Sequence, residues 1–263
     1  MAEHVNDLII DRQDGVVVVT MDRPKQLNAL SNPMRDEIVR FFTNANNDPS
    51  IRAIVITGSG DRAFCAGADV TLLPTMTGGP FKQDMRLPLG YWAVPIHRCE
   101  KPIIAAVNGV SAGGGFSIAL LADVRIASDR ARFSAIWVKR GLVPDAGASY
   151  LLPRCVGWAN AAELSFTGRV LNADEALKLG IVSRVVPHDK LMDTALEMAR
   201  QIASMAPIAV TLTKRAFQKA AQNTLETQLL IESEGQMTCW FTEDHKEGTR
   251  SFLEKREPKF QGK

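Results

Sequence analysis

The segment FSAIWVKRGLVPDAGASY, residues 133–150, contains a single carboxylate, Asp145, among apolar residues and glycines. No other acidic residue occurs between Asp129 and Glu163. A lone carboxylate in such surroundings can move a proton to or from a substrate. It can equally cap a helix, because Asp is a favoured N-cap residue and a helix is predicted to follow directly. The residues of this segment alone leave both interpretations open.

Two turns of small residues, CAGAD at 65–69 and NGVSAGGGFS at 108–117, each follow a predicted buried strand. Their backbone N–H groups have little side-chain cover, and the second turn opens a helix, whose N-terminus carries partial positive charge. Two converging N–H donors form an oxyanion hole, which stabilises an enolate or a tetrahedral oxyanion. Tight turns required only by packing would show the same residues, so this interpretation also has an alternative.

The elements that must position these residues alternate between strands and helices. β-Branched runs on either side of an Asp-Gly turn predict a hairpin of Leu8–Ile10 with Val16–Met21. The alternation favours an α/β fold with mostly parallel strands. The other predicted elements are a helix at about 34–47, buried strands at 53–57, 102–107 and 124–127, a helix from 113 to about 121, a helix start at 172–175 and a short strand at 181–186.

The chain divides into a core and a helical segment. We predict a core at residues 1–190 and a C-terminal helical segment at 191–263. Residues 71–85 are poorly patterned and include Gly78, Gly79 and Pro80, which predicts a mobile segment beside a site. Several apolar residues of the late helices are expected to pack either on a neighbouring subunit or in the core of the same chain: Leu229, Leu230, Ile231, Trp240 and Phe241.

The composition argues against several classes of protein. The 31 basic and 29 acidic residues are interspersed and give a net charge of +2, which argues against a nucleic-acid partner. The four cysteines have no metal-ligand or disulfide spacing, which fits a cytoplasmic protein without a metal. No stretch reaches the ~18–20 apolar residues of a membrane span, so no membrane partner is expected.

Four motifs occur in a characteristic order: MDRPKQLNAL at 21–30, GDRAFCAGADV at 60–70, AAVNGVSAGGGFSIAL at 105–120 and GLVPDAGASYLLPRCVG at 141–157. Together they resemble the enoyl-CoA hydratase/isomerase, or crotonase, superfamily. The resemblance implies a spiral of ββα turns with a C-terminal helical trimerisation region, and a homotrimer or homohexamer. It also implies an acyl-CoA thioester as substrate, with coenzyme A as part of that substrate and no separate cofactor.

The resemblance implies roles for individual residues. Carried over by position in the motifs, the backbone N–H groups of Ala68 and Gly114 would hold the thioester oxygen. Lys255 would reach a coenzyme A phosphate, either from the same chain or from a neighbouring subunit, and a solvated lysine is the alternative. The other residues that fall where the family contacts coenzyme A are Arg23, Lys25, Leu27, Ala66 and Asp69.

Two positions depart from the pattern of the family's hydratases. Those enzymes use two glutamates to activate water and to protonate carbon, and this chain has Ser117 and Trp137 there. Neither side chain is a general base near neutral pH. In some family isomerases the G-x-x-P-D/E-x-G turn carries the only acid, which is Asp145 here. We therefore predict an acyl-CoA isomerase, of the enoyl or ring-epoxide type, with Asp145 as its single acid/base.

Other reactions on the same scaffold remain alternatives. The segments GLVPDAGASYLLPR, NTLETQL and EGTRSFLEKREPKFQGK resemble the 1,2-epoxyphenylacetyl-CoA isomerase subgroup. Trp137 with Asp145 also resembles the 4-chlorobenzoyl-CoA dehalogenases, in which the tryptophan lines a ring pocket, but Gly90 stands where those enzymes need a histidine. A hydrolase or lyase in which Asp145 orients water, and an inactive acyl-CoA-binding protein, are the remaining alternatives.

Overall fold

The computed structural model describes residues 2–69 and 90–263. The predicted mobile segment at 71–85 lies outside these residues. The described strands are β1 (Glu3–Val5), β2 (Leu8–Gln13), β3 (Val16–Met21), β4 (Ala53–Gly58), β5 (Ala63–Cys65), β6 (Ile103–Val107), β7 (Val110–Ala112), β8 (Val124–Ser128), β9 (Arg132–Ser134), β10 (Val170–Asn172) and β11 (Arg184–Val186).

The described helices are α1 (Asn32–Ala45), α2 (Ala93–His97), α3 (Gly114–Leu121), α4 (Ala148–Val156), α5 (Trp158–Thr167), α6 (Ala173–Lys178), α7 (Leu191–Ala203), α8 (Pro207–Ala220), α9 (Leu225–Trp240) and α10 (Glu243–Glu254). Short 3-10 helices span Pro24–Gln26, Ile136–Arg140 and His188–Lys190. None of the helices among residues 2–69 and 90–263 is long and apolar enough to cross a membrane.

The strands form two sheets. The large sheet has the order β1-β2-β3-β4-β6-β8-β11, and its strands are parallel from β3 onward. The predicted hairpin is confirmed, since β2 and β3 pair antiparallel around Asp14 and Gly15, which both have positive φ. The small sheet has the order β10-β9-β7-β5, and its three-residue strands were not predicted because they are too short to show a hydrophobic period.

Helix α1 shows how local signals position an element against the sheet. It begins two residues before the predicted start, because the Ser31 side chain accepts a hydrogen bond from the Met34 N–H at 3.1 Å and so caps the helix. Its apolar residues recur at three- and four-residue spacing and are buried, among them Ile38 and Phe42. The helix therefore covers one side of the core that also carries the turns at 65–69 and 108–117.

The C-terminal part of the chain has two kinds of helix. Helix α7 packs on the large sheet through residues spaced by four, from Leu191 to Ala203, so the first helix after the predicted boundary at 190 covers the core. The later helices are mostly exposed, and the Lys214 ammonium of α8 anchors them by bonding Asp123 Oδ2 at 2.6 Å and the Lys101 carbonyl at 2.9 Å.

Several large apolar side chains of the late helices are uncovered in a single chain. Packing in the core of the same chain, one of the two expectations, is wrong for Leu229, Leu230, Trp240 and Phe241, which are between 51% and 76% exposed. Helix α9 has no buried residue. Monomeric proteins rarely expose contiguous apolar surface of this kind.

Candidate active site

The turn at 65–69 lies beside α1 and presents one N–H group away from it. Leu30 and Ala68 form an isolated parallel bridge, in which the Leu30 N–H donates to the Gly67 carbonyl at 2.8 Å. The Asp69 N–H completes this bridge by donating to the Leu30 carbonyl at 3.4 Å. In a parallel pair the residue between these two bonds directs its own N–H to the other side. The Ala68 amide therefore faces away from Leu30.

The second predicted donor, the Gly114 N–H, lies next to this turn. Gly114 is the first residue of α3, where backbone N–H groups have no partner within the helix. A Cβ built on Gly67 would lie 3.3 Å from the Gly114 nitrogen, so the two turns are in contact. Within the part of the chain that the structure describes, neither the Ala68 nor the Gly114 N–H donates a hydrogen bond to another residue.

Two glycines make this contact possible. A Cβ on Gly115 would overlap the Cys65 carbonyl oxygen. Gly67 has a φ of +97°, and a Cβ there would lie 2.8 Å from the Ala112 carbonyl oxygen. Any larger residue at either position would push the two turns apart. Gly67, together with Gly115 of the three-glycine run, is therefore required for this backbone contact.

Asp145 lies in the turn between the 3-10 helix Ile136–Arg140 and α4, and it is exposed. Its Oδ1 accepts a hydrogen bond from the Trp137 Nε1 at 2.9 Å. Helix α4 has Gly147 at its N-cap position, and no side chain caps it. The alternative that Asp145 is a helix cap is therefore wrong.

Trp137 has a different surrounding from the one expected for a ring-pocket residue. Its side chain is 5% exposed and belongs to the main core cluster. Its one polar atom, Nε1, donates its hydrogen to Asp145 Oδ1. The observed contact of Trp137 is thus with the acid, and its predicted contact with substrate stays a prediction.

The backbone around Asp145 is unusual. The Ala148 N–H donates to the Asp145 carbonyl at 2.9 Å, and the two residues between them, Ala146 and Gly147, have φ of +48° and +87°. For a residue with a Cβ, such as Ala146, the left-handed conformation costs roughly 1–2 kcal/mol. A turn of this kind persists only when the surrounding structure holds it.

Gly90 packs directly on this turn. A Cβ on Gly90 would lie 2.7 Å from the Ala146 Cα, and Gly90 itself has a φ of +79°. No side chain fits at this position while the turn keeps its conformation. This contact disfavours the dehalogenase alternative, which needs a histidine there.

Ser117, at the position of the first hydratase glutamate, is fully buried on α3. Its Oγ lies 3.1 Å from the Asp145 carbonyl oxygen and 3.5 Å from the Gly113 carbonyl oxygen. The hydroxyl has one proton to donate, and the Asp145 carbonyl is the nearer acceptor. The side chains at both hydratase glutamate positions thus contact Asp145.

The residues predicted to contact coenzyme A lie together in one group, with the exception of Lys255. The Arg23 Nη1 donates to Asp69 Oδ2 at 2.9 Å and to the Ala29 carbonyl at 2.8 Å. The Ala66 N–H donates to the Leu27 carbonyl at 3.0 Å, which joins the 65–69 turn to the segment that carries Arg23. Lys25 is exposed in the 3-10 helix of that segment. The roles of these residues toward coenzyme A stay predictions.

Lys255 is not brought to this group within one chain. It ends α10 with a φ of +54° and is exposed. The segment that follows it is held where β4 begins, since the Arg52 Nη2 donates to the Phe260 carbonyl at 3.0 Å. The 65–69 turn instead follows the other end of β4. A role for Lys255 at the site of its own chain therefore has no support from its contacts.

Two buried asparagines that the sequence reasoning missed hold the site together. The Asn28 Nδ2 donates to the Ala63 carbonyl at 2.7 Å, and its Oδ1 accepts from the Arg23 N–H at 3.0 Å. The Asn108 Nδ2 donates to the carbonyls of Gly58 and Gly60 at 2.9 and 2.8 Å. The available signal was an Asn between apolar residues at each place, LNAL and VNGV.

Burial shifts the pKa of two other reactive side chains, Cys65 and His97. Complete burial raises the pKa of Cys65 to about 12, so its thiol stays protonated and is not a nucleophile. Burial, with the charge of Lys214, lowers the pKa of His97, whose ring lies 6.4 Å from that of Tyr150. Burial thus disfavours a thiolate at Cys65 and a charged imidazole at His97, whereas the carboxylate of Asp145 is exposed.

Comparisons with known proteins agree with this fold. The sequence profile of the Enoyl-CoA hydratase/isomerase family matches residues 11–263. The chain is 40% identical over 260 residues to the short-chain-enoyl-CoA hydratase of Clostridium acetobutylicum, with 96% of each chain covered. It is 37% identical over 255 residues to the 1,2-epoxyphenylacetyl-CoA isomerase of Escherichia coli, covering 95% of this chain and 97% of that one.

The fold is shared with solved structures of the same family. The enoyl-CoA hydratase of Bacillus anthracis superposes with a TM-score of 0.91 at 34% identity, covering 98% of this chain and all of that one. The chain therefore belongs to the enoyl-CoA hydratase/isomerase family. The predicted α/β crotonase-like fold is confirmed.

The contact between the two turns can be tested by substitution of Gly115. We expect Gly115→Ala to destabilise the protein by about 1–3 kcal/mol, the usual cost of overpacking, because the new Cβ meets the rigid Cys65 carbonyl. The measurement is thermal unfolding. Gly235→Ala is the matched control, since a Cβ there meets only Leu212 Cβ at 3.9 Å. An Ala variant at 115 as stable as the wild type would contradict the contact.

Proposed function

We propose that the chain is an acyl-CoA isomerase that forms an enolate and uses Asp145 as its single acid/base. The observation that carries the proposal is the state of Asp145: its carboxylate is exposed, one oxygen is held by the Trp137 N–H, and α4, which follows it, does not use it as a cap. The positions of the two hydratase glutamates hold Trp137 and Ser117, which contact this acid instead of supplying carboxylates.

The proposed reaction moves one proton. The thioester oxygen accepts hydrogen bonds from the Ala68 and Gly114 N–H groups, which stabilise the negative charge that develops there. Asp145 removes a proton from the α-carbon, and the electron pair of that C–H bond enters the dienolate. The protonated acid then returns the proton to the γ-carbon, which gives the conjugated 2-enoyl thioester and restores the carboxylate.

The geometry of Asp145 suits a single shuttling group. Oδ1 is occupied by the indole N–H, and within residues 2–69 and 90–263 no group donates to Oδ2. Oδ2 is therefore the oxygen available to the substrate. Backbone donors and one carboxylate supply every step, so the proposal includes no metal and no cofactor besides the coenzyme A of the substrate.

Hydratase names are common among the relatives, and the proposal must account for them. Adding water to an enoyl thioester requires one group to activate water and another to protonate carbon. Neither of the two positions where the family's hydratases carry glutamates holds a carboxylate in this chain, and Asp145 is the acid that contacts both of these positions. A ring-epoxide substrate fits the same single acid and is the other form of the proposal, supported by the likeness to the Escherichia coli isomerase.

For substrate binding, we propose that coenzyme A lies along the group formed by Arg23, Lys25, Leu27, Ala66 and Asp69. These residues flank Ala68, so a thioester whose oxygen reaches the Ala68 amide would place its nucleotide part toward them. Arg23 is held by Asp69, with its Nε 3.5 Å from Asp7 Oδ2. Lys255 would join this site from a neighbouring subunit.

The first test replaces the proposed acid. Asp145→Asn keeps an oxygen that can accept the Trp137 hydrogen bond but cannot take a proton. We expect kcat for conversion of a 3-enoyl-CoA to fall by about 10²–10⁴, the usual contribution of a general acid/base. Acyl-CoA binding and the melting temperature should be unchanged.

The matched control for this variant is Asp189→Asn, another exposed aspartate, in the 3-10 helix His188–Lys190. It should keep the wild-type kcat. Full isomerase activity in the Asp145→Asn protein would contradict the proposed role. Release of free coenzyme A by the wild type would favour the hydrolase alternative, and binding without turnover the inactive one.

The second test is hydration. We expect negligible hydration of crotonyl-CoA by the wild-type protein, because Ser117 and Trp137 supply no second carboxylate. Loss of the enoyl absorbance measures the reaction. A turnover near the enzyme median of about 10 s⁻¹ would show that the catalytic positions are misassigned.

The third test is assembly. We propose a homotrimer or homohexamer, because the exposed apolar side chains of α9 need a partner surface. Light scattering at micromolar concentration should give three or six times the mass of one chain. The mass of a single chain would contradict the proposal.

A further inference from the structure

We infer that Ser117 is a positioning residue that couples the helix carrying the Gly114 donor to the turn carrying Asp145. The inference rests on the proposed function, since it assigns Ser117 a role in proton transfer by Asp145. It also explains a fully buried hydroxyl at a position where the family's hydratases have a glutamate.

The contacts of Asp145 show how completely it is held. Its carbonyl accepts from the Ser117 hydroxyl at 3.1 Å and from the Ala148 N–H at 2.9 Å, which occupies both lone pairs. Its Oδ1 accepts from Trp137. The backbone and the side chain of the acid are thus fixed by different partners, and Ser117 is the partner of the backbone that comes from α3.

The turn needs such an anchor. Leu142 and Val143, which precede it, are 50% and 77% exposed, and Ala146 has the unfavourable left-handed conformation. A strained and exposed turn keeps its shape only through contacts with better-packed elements. Helix α3 is such an element, because every residue from Gly115 to Leu121 is buried.

Ser117 and Gly114 lie three residues apart on α3, which places them on the same face of the helix. One turn of a rigid helix therefore carries both the donor for the thioester oxygen and the support for the acid. This arrangement sets the distance between the place where negative charge develops and the group that moves the proton. Errors in such distances are costly, since a displacement of about 1 Å can reduce a rate by about 10²-fold.

The alternative is a serine with a local role only. Serines within helices often donate to the carbonyl four residues earlier, and the Gly113 carbonyl lies 3.5 Å from the Ser117 Oγ. A hydroxyl bonded there would support α3 and leave Asp145 unaffected. The two roles differ in whether loss of the hydroxyl acts through the carboxylate of Asp145.

The experiment compares Ser117→Ala with Ser134→Ala. Ser134 is also buried, and its Oγ donates to a carbonyl, that of Gly168, at 3.2 Å. We expect Ser117→Ala to lower kcat for a 3-enoyl-CoA by on the order of 10- to 100-fold with little change in KM. Ser134→Ala should keep the wild-type kcat, and the two variants should melt at similar temperatures.

A double-mutant cycle with Asp145→Asn separates the two roles. If Ser117 acts by positioning the carboxylate, Ser117→Ala causes no further loss in a protein that already carries Asp145→Asn. An equal loss in both backgrounds would overturn the inference, as would a wild-type kcat in the single Ser117→Ala variant. Full activity of Asp145→Asn alone would instead overturn the proposed function, so the two failures are distinguishable.

Discussion

The close backbone contact between the turn at 65–69 and the start of α3 is the constraint on which the site depends. It requires Gly67 and Gly115, because a Cβ on either would meet a carbonyl oxygen of the other segment. The contact places the turn that carries the Ala68 amide against the Gly114 nitrogen at the start of α3, and the rest of that helix is buried. Ser117 on that helix then supports the turn that holds Asp145. A single packing requirement thus links the proposed oxyanion donors to the proposed acid.

The proposed reaction uses one carboxylate where the family's hydratases use two. Where the family's hydratases have glutamates, this chain has a serine and a tryptophan, and both side chains donate to Asp145. At the two positions where the hydratases have reactive glutamates, this chain thus has side chains that hold Asp145. Water addition loses the groups it needs, whereas an allylic proton shift needs one well-held acid. The departure from the hydratase pattern and the geometry of Asp145 therefore point to the same chemistry.

Much of this arrangement could be predicted from the sequence, because its signals are local. The β2–β3 hairpin, the buried parallel strands and the starts of α1 and α6 follow from turn residues, β-branched runs and caps within a few residues. The partners of Asp145 could not be predicted. Trp137 is eight residues from it and Ser117 twenty-eight, and no periodicity reports a hydrogen bond across such separations. The small sheet was missed because its strands have three residues each.

The central claim is that one carboxylate moves one proton across an enolate, and the fate of solvent deuterium tests it most directly. The wild-type protein would be incubated with a 3-enoyl-CoA in deuterated water, and the product examined by NMR. The account predicts the 2-enoyl-CoA, with no hydroxyacyl product and no free coenzyme A, and with deuterium at the γ-carbon only where the proton on Asp145 has exchanged with solvent before its return. A 3-hydroxyacyl-CoA as the main product, or thioester cleavage without isomerisation, would contradict it.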